Sequence, residues 1–194
     1  YTPARTAPSN NIAHDSHVAV EEEVEPLEQI EGGVGRLHAE VAADLLDRLR
    51  NQAPEFLEQS VLDVLVAMGY GGTEGRAARI GGSGDGGVDG VIDQDPLGLE
   101  RIYVQAKRYA VDNTVGRPEI QAFVGALHGV GAARGVFITT SAFTSGAREY
   151  AQNIATRIIL IDGQRLADLM IRYGVAVQTR QIFTVVEVDE DYFE

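Results

Sequence analysis

The sequence predicts an α/β fold in which helices cover both sides of a central mixed β-sheet. Residues 87–109 have the pattern of two strands joined by a turn at Asp95–Gly98, which predicts a β-hairpin. Residues 135–140 and 157–161 are short, apolar and β-branched, as is typical of strands buried in a parallel or mixed sheet. Helix-like segments alternate with these strands, and such alternation favours a sheet with helices on both faces.

Three parts are predicted along the 194 residues. Residues 1–36 are acidic and largely lack apolar periodicity, so we expect a disordered tail or linker. Apolar residues at helical spacing over 37–53 predict a connecting helix, and residues 54–194 then form the domain itself. Because the chain begins at Tyr1 rather than Met, we expect that it is a fragment whose upstream part is missing.

The net charge of −13 does not by itself exclude a nucleic-acid partner. Residues 21–31 and 187–194 hold eleven acids and no base, so the rest of the chain is close to neutral and its bases can cluster on one face. The absence of cysteine excludes disulfides and thiolate metal sites. No apolar run approaches bilayer length and no secretory signal is present, so we expect a prokaryotic cytoplasmic protein without a membrane partner.

The helices of the domain are predicted from apolar periodicity and from their terminal residues. They cover residues 55–68, 117–129, 145–154 and 164–173. Pro54 and Gly69 bracket the first of them. Glu58 shares the apolar face of this helix, and an inward-facing carboxylate is costly unless something pairs with it. The alternative is a partly exposed glutamate that the helix dipole favours.

The loop after the first core helix is rich in glycine, and residues 82–87 match the dinucleotide-binding pattern GxGxxG. A nucleotide-binding loop of this kind follows a strand and opens a helix, whereas these glycines lead into the predicted strand of Asp89. We therefore predict no nucleotide cofactor. The glycines are expected to allow a sharp turn or a close approach of the backbone before Asp89.

The predicted hairpin carries a candidate metal-dependent site. Asp89 lies on its first strand, and Gln105 and Lys107 point to one face of its second strand, because side chains alternate along a strand. Carboxylate and amide oxygens are ligands for Mg²⁺, and Glu58 could supply a second negative charge. Lys107 could orient or deprotonate a water and stabilise developing charge. A purely structural salt bridge between Asp89 and Lys107 would involve the same residues.

The motifs GGSGDGGVDGVI, LGLERIYVQAKRY, GRPEIQAFVGALHG, GVFITTSAFTSGAREYA and IILIDGQRLADLMIRYGV follow one another in this sequence. Over residues 37–194 the chain resembles the catalytic domain of the Mrr-like type IV restriction endonucleases. These enzymes belong to the PD-(D/E)XK nuclease superfamily, in a variant with glutamine before x-Lys. The resemblance implies a restriction-endonuclease-like fold. It also implies that Asp89, Gln105, Lys107 and Glu58 are catalytic and that Asp89, Gln105 and Glu58 bind the metal.

The resemblance further implies Mg²⁺-dependent cleavage of double-stranded, methylated foreign DNA in prokaryotic defence, with Mn²⁺ as an alternative cofactor. A homodimer or higher homo-oligomer is expected, because a single hairpin site cuts one strand. The N-terminal winged-helix recognition domain that the resemblance implies does not fit residues 1–36, which are too short and too acidic. Target specificity is therefore not supported by this chain.

Contacts with the DNA backbone are expected from basic and hydroxyl residues near the site, each of which is also compatible with an ordinary surface role. These candidates are Arg76, Arg79, Arg108, Arg117 and Ser141. Two further functions stay open: a non-catalytic DNA-binding or sensing module on a nuclease scaffold, which the neutral Gln105 favours, and a junction-resolving or repair nuclease.

Overall fold

Five α-helices and five β-strands make up the described part of the chain, which in this computed structural model comprises residues 25–72, 77–79 and 87–194. They are α1 (Pro26–Asn51), α2 (Pro54–Ala67), β1 (Ala77–Arg79), β2 (Gly90–Asp93), β3 (Arg101–Lys107), α3 (Arg117–Gly129), β4 (Arg134–Thr139), α4 (Ser145–Asn153), β5 (Arg157–Ile161) and α5 (Gly163–Tyr173). The four predicted domain helices agree with α2 to α5 to within one residue at each end.

The strands form one mixed sheet in the order β1-β2-β3-β4-β5. Strands β1, β2 and β3 are antiparallel, whereas β3, β4 and β5 run parallel. This confirms the predicted mixed sheet and its hairpin. The edge strand β1 was not predicted, because its residues were expected to form a loop. With only three residues beside a glycine-rich stretch, it carries no readable period.

Helices cover both faces of the sheet, as predicted. One apolar core joins α1, α2 and α5 to sheet residues such as Val136 and Ile138. A second core joins α3 and α4 to Phe137, which lies between those two residues on the opposite face. The fold class is therefore α/β, with each face of the sheet buried by its own set of helices.

The connecting helix α1 begins at Pro26, eleven residues earlier than expected, and ends at Asn51. Residues 26–36, which were expected to belong to a tail or linker, are therefore helical, and residues 1–24 lie outside the described part. The Arg108 guanidinium donates to the carbonyl oxygens of Arg50 and Gln52 and so fastens the C-terminal end of α1. Among the described residues, no helix is both long and apolar enough to cross a bilayer.

A glycine allows α2 to approach the sheet closely. Gly90 opens β2, and a Cβ atom at this position would lie only 2.9 Å from Cδ2 of the buried Leu62. Since Glu58 lies one helical turn before Leu62, this packing brings Glu58 toward the residue that precedes β2, which is Asp89. The contact between α2 and β2 thus positions the candidate site.

Candidate active site

The Asp89 carboxylate is held by the backbone of β3. Asp89 lies immediately before β2, and its N–H donates to the Val104 carbonyl at 2.8 Å. Its Oδ2 atom accepts a hydrogen bond of 2.7 Å from the Ala106 N–H. Ala106 lies between Gln105 and Lys107, so this bond fixes the carboxylate beside both of them.

Gln105 is buried, with 4 % of its surface exposed, and it packs against the turn before Asp89. Gly87 in that turn has a φ of +96°, a conformation that favours glycine. A Cβ atom at Gly87 would lie 3.0 Å from Nε2 of Gln105. The predicted close approach of the backbone is therefore confirmed at Gly87, and its partner is the Gln105 amide. Residues 80–86 of the glycine-rich stretch lie outside the described part.

Lys107 is the last residue of β3, and its side chain is partly buried. Its backbone carbonyl accepts hydrogen bonds from the Thr139 hydroxyl at 2.9 Å and from the Thr140 N–H at 3.2 Å. These bonds tie the end of β3 to β4 and hold the backbone from which the ammonium group extends. As predicted, Lys107 is two residues from Gln105 on the same strand.

Glu58 joins the hairpin residues from α2. Burial raises the pKa of its carboxyl group, and the negative charge of Asp89 raises that pKa further, whereas Arg79 and Lys107 oppose the shift. The Arg79 Nε atom lies 3.7 Å from Oε2 of Glu58, whose side chain is 20 % exposed. Glu58 is therefore mostly but not fully buried, and its charge interacts with those of Asp89 and Lys107.

The donor atoms in this arrangement fit a hard divalent cation. Asp89 and Glu58 offer carboxylate oxygens and Gln105 offers an amide oxygen, which is the chemistry that Mg²⁺ prefers. Burial and then the charge of Asp89 raise the pKa of Glu58, and a bound cation would favour the charged carboxylate against both effects. Within the described residues no group of three or more acidic, histidine or cysteine side chains is assembled, so water or phosphate oxygens would have to complete the coordination.

Two of the predicted DNA contacts keep an accessible guanidinium group. Arg79 lies in β1, where it pairs with Gly90 of β2, and its Nη1 atom donates to the Glu55 carbonyl at 3.3 Å. Arg117 begins α3 and lies 5.0 Å from the centre of the Tyr150 ring. Arg76 lies outside the described residues.

Of the other two predicted DNA contacts, Ser141 needs correction, and the exposed Arg108 has an internal role. Ser141 is buried, with 8 % of its surface exposed, and its hydroxyl lies 3.3 Å from that of Thr139, so it does not face a DNA backbone. Arg108 uses its guanidinium to hold the end of α1. The partners of Arg108 are distant in sequence, so local patterns did not reveal this role, whereas Thr139 is only two residues from Ser141.

The ion pair between Arg79 and Glu58 was also missed from the sequence. Arg79 was assigned to a loop and considered only as a DNA contact, whereas β1 aligns it with the start of β2 beside the site. The signal that could have found it is the inward position of Glu58, because an acid on an apolar helix face requires a basic partner.

Comparison with known proteins identifies the family of the chain. Residues 49–170 match the Mrr catalytic-domain family, which is described as a restriction endonuclease. The type IV methyl-directed restriction enzyme EcoKMrr of Escherichia coli K12 is 51 % identical over 169 residues, which cover 87 % of this chain and 54 % of that protein. The chain therefore spans about half the length of this curated relative.

Solved structures share the fold. The MspJI restriction endonuclease in complex with a 27-mer oligonucleotide matches with a TM-score of 0.53 and 24 % identity, over 72 % of this chain and 32 % of that one. The DNA modification-dependent restriction endonuclease AspBHI matches with a TM-score of 0.51 and 19 % identity, over 71 % and 36 %. The fold, the match to the family over most of the domain and the identity to EcoKMrr lead to one conclusion: this chain belongs to the Mrr family of restriction endonucleases.

Proposed function

We propose that this chain is a Mg²⁺-dependent endonuclease domain that hydrolyses phosphodiester bonds in double-stranded DNA. One observation carries the proposal: the charges of Asp89 and Lys107 both act on the carboxyl group of Glu58, and the Ala106 N–H holds the Asp89 carboxylate at the start of β2. Two converging carboxylates with an adjacent lysine are suited to metal-assisted hydrolysis. The neutral Gln105 leaves this site with two negative charges from the protein.

Each of the four residues has a distinct role in the proposed reaction. Asp89, Glu58 and the Gln105 amide oxygen would hold the cation, which when bound supplies charge stabilisation at the phosphate and acidifies a water. The bond from the Ala106 N–H keeps the Asp89 carboxylate oriented. Lys107 orients the attacking water and stabilises the charge that develops on the phosphate oxygens. Arg79 and Arg117 contact the DNA backbone.

The proposal extends to the substrate and the assembly. EcoKMrr is named as a methyl-directed enzyme, and we propose methylated DNA as the substrate of the whole protein to which this domain belongs. The function would be restriction of foreign DNA in a prokaryotic cytoplasm. Since one site cuts one strand, the cut of both strands requires two copies, and we propose a homodimer.

A non-catalytic DNA-binding module is the second candidate. It is favoured by Gln105 at a position where an acid would add a third carboxylate, and by the lack of a three-acid cluster among the described residues. This candidate predicts DNA binding without any metal-dependent nicking. The two candidates have the same fold and differ only in whether the DNA is cleaved.

Plasmid cleavage distinguishes the two candidates. Supercoiled plasmid, methylated or unmethylated, is incubated with the chain in Mg²⁺, in Mn²⁺ or with a chelator. We expect nicked or linear DNA with either metal, none with the chelator, and none with the Lys107→Ala variant. Arg172→Ala, which removes an exposed base on α5, is the matched control and should cleave normally. If the wild type binds DNA without cleaving it, the second candidate is favoured. If both plasmids are cleaved equally, the domain itself does not distinguish methylated from unmethylated DNA.

A further inference from the structure

The C-terminal segment leaves the domain and is exposed from residue 179 onward. Helix α5 ends at Tyr173 with Gly174 as its C-cap, and Val175 and Val177 still pack against the core. From residue 179 onward every residue is exposed, and the segment forms only a single 3-10 turn at Glu190–Tyr192. We call residues 179–194 the C-terminal arm.

The C-terminal arm is unusually apolar for an exposed segment. Its large side chains are 60–84 % exposed: Ile182, Phe183, Val185, Val186, Val188, Tyr192 and Phe193. Residues 182–188 read IFTVVEV, a run of β-branched and aromatic residues with strong strand propensity. A single strand has no stability of its own in water, and each such side chain contributes about 1.5–3 kcal/mol when fully buried. The composition therefore fits a strand that pairs with an existing sheet.

The sheet offers an open edge for such a strand. Strand β5 is the last in the sheet, pairs only with β4 among the described strands, and exposes 45 % of Ile159. A groove of about 710 Å³ runs along this edge between β5 and α4. Its lining includes Arg148, Gln152, Ile154, Thr156, Arg157 and Ile159. Seven residues of extended chain span about 23 Å, which is enough to cover the five residues of β5.

The charges of the groove and of the C-terminal arm are complementary. The groove lining contains two arginines and no acid. The last eight residues of the arm contain five acids and no base. Arg148 already pairs with Asp162 at 2.9 Å, whereas Arg157 makes no ion pair with any described residue. Arg157 is therefore available to Glu187 of an entering strand or to the acids that follow it in the arm.

The geometry favours a second copy of the chain as the source of that strand. The arm leaves near α1, since Val177 and Gln178 line a pocket together with Val41 and Leu45, whereas α4, which lines the groove, covers the opposite face of the sheet. The arm forms no pairing with its own β5 in the described structure. Reciprocal exchange between two copies would fill both grooves and close the assembly with two-fold symmetry.

We propose that the C-terminal arm of one copy adds as a strand to the β5 edge of a second copy and so builds the homodimer. Main-chain hydrogen bonds would provide the pairing, and the apolar side chains of the arm would cover Ile159 and the groove. The inference rests on the dimer of the proposed function and identifies its interface. It does not depend on the metal site.

Sedimentation of the full chain and of two variants tests the interface. We expect the wild type to be a dimer. Deletion of residues 179–194 removes the arm, and Ile159→Asp puts a negative charge into the groove, so each variant alone should be a monomer. Val130→Asp is the matched control, because Val130 is 50 % exposed at the end of α3, away from the groove lining. Circular dichroism checks folding, and Arg157→Glu replaces Ile159→Asp if the latter fails to fold.

Mixing the two monomeric variants gives the sharpest result. The deletion variant keeps an intact groove and Ile159→Asp keeps an intact arm, so an equimolar mixture should form a heterodimer through one arm and one groove. A monomeric wild type, a deletion variant that stays dimeric, or a mixture without heterodimer would overturn the inference. A wild-type dimer that exchanges arms but never cuts DNA would instead reject the proposed function and leave the interface standing.

Discussion

The hydrogen bond between Asp89 and Ala106 gives a prediction that separates the structural role of Asp89 from its catalytic role. In Asp89→Asn the amide oxygen can still accept the Ala106 N–H, so the bond of 2.7 Å is preserved while the negative charge is lost. In Asp89→Ala both are lost, and the Ala106 N–H is left without this acceptor in a region where Ala106 is only 9 % exposed. The two variants should therefore differ in stability and agree in activity.

The magnitudes follow from these contacts. An unsatisfied buried N–H costs about 1–3 kcal/mol, and each kcal/mol lowers the Tm by about 2–4 °C in a chain of this size. Asp89→Ala should therefore melt several degrees below Asp89→Asn. Metal-assisted stabilisation is worth several kcal/mol, and each 1.4 kcal/mol is tenfold in rate, so both variants should cleave at least about 100-fold more slowly than the wild type.

Thermal denaturation and plasmid nicking measure the two effects separately. Asp112→Asn and Asp112→Ala form the matched control pair, because Asp112 is an exposed loop residue with no side-chain hydrogen bond in the described structure. Both control variants should melt and cleave like the wild type. The reasoning is refuted if Asp89→Asn cleaves within about threefold of the wild type, or if the two Asp89 variants melt at the same temperature.

Three further predictions concern Glu58, two glycines and Arg108. The raised pKa of Glu58 means that its stabilising contribution is complete below its ordinary value of 4.5 and is lost as the pH rises through the folded value. Wild-type stability relative to Glu58→Gln, measured by urea denaturation, should therefore fall as the pH is raised above 4.5. Gly163→Ala should lower the free energy of unfolding by about 1–3 kcal/mol, because the added Cβ atom would lie 2.6 Å from the Thr140 carbonyl oxygen. Gly146→Ala is the control, since its added Cβ atom on α4 would meet open space, and it should leave the free energy of unfolding unchanged or raise it. Arg108→Ala should lower the Tm by loosening the end of α1 but leave DNA affinity nearly unchanged, as measured by fluorescence anisotropy.

Local patterns were sufficient to predict most of the fold. Helix α2 carries a continuous apolar face with Pro54 at its start, and α3 to α5 have clear helical spacing, so their bounds followed from the sequence. The start of α1 did not follow from the sequence, because Gly32, Gly33 and Gly35 each disfavour a helix by about 1 kcal/mol relative to alanine. The helix nevertheless runs through them, which a propensity argument does not anticipate.

The candidate site was predictable where it depended on alternation along a strand and unpredictable where it depended on long-range packing. Gln105 and Lys107 followed from the two-residue period of β3. The sequence left two alternatives for Glu58, an inward-facing and a partly exposed side chain. Its position near Asp89 depends on the contact between Leu62 and Gly90, which joins segments that are distant in sequence. The internal role of Arg108 likewise depends on partners that no local pattern identifies.

The central claim is that Glu58 and Asp89 together hold the cation that drives DNA cleavage. Its most direct test is the rate of plasmid nicking by the wild type and by Glu58→Gln as the Mg²⁺ concentration is raised from zero. We predict no nicking without metal, saturable nicking by the wild type, and a Mg²⁺ midpoint shifted to higher concentration in Glu58→Gln, because one carboxylate ligand is lost. Nicking by the wild type in the presence of a chelator, or the same Mg²⁺ midpoint in both proteins, would contradict the claim.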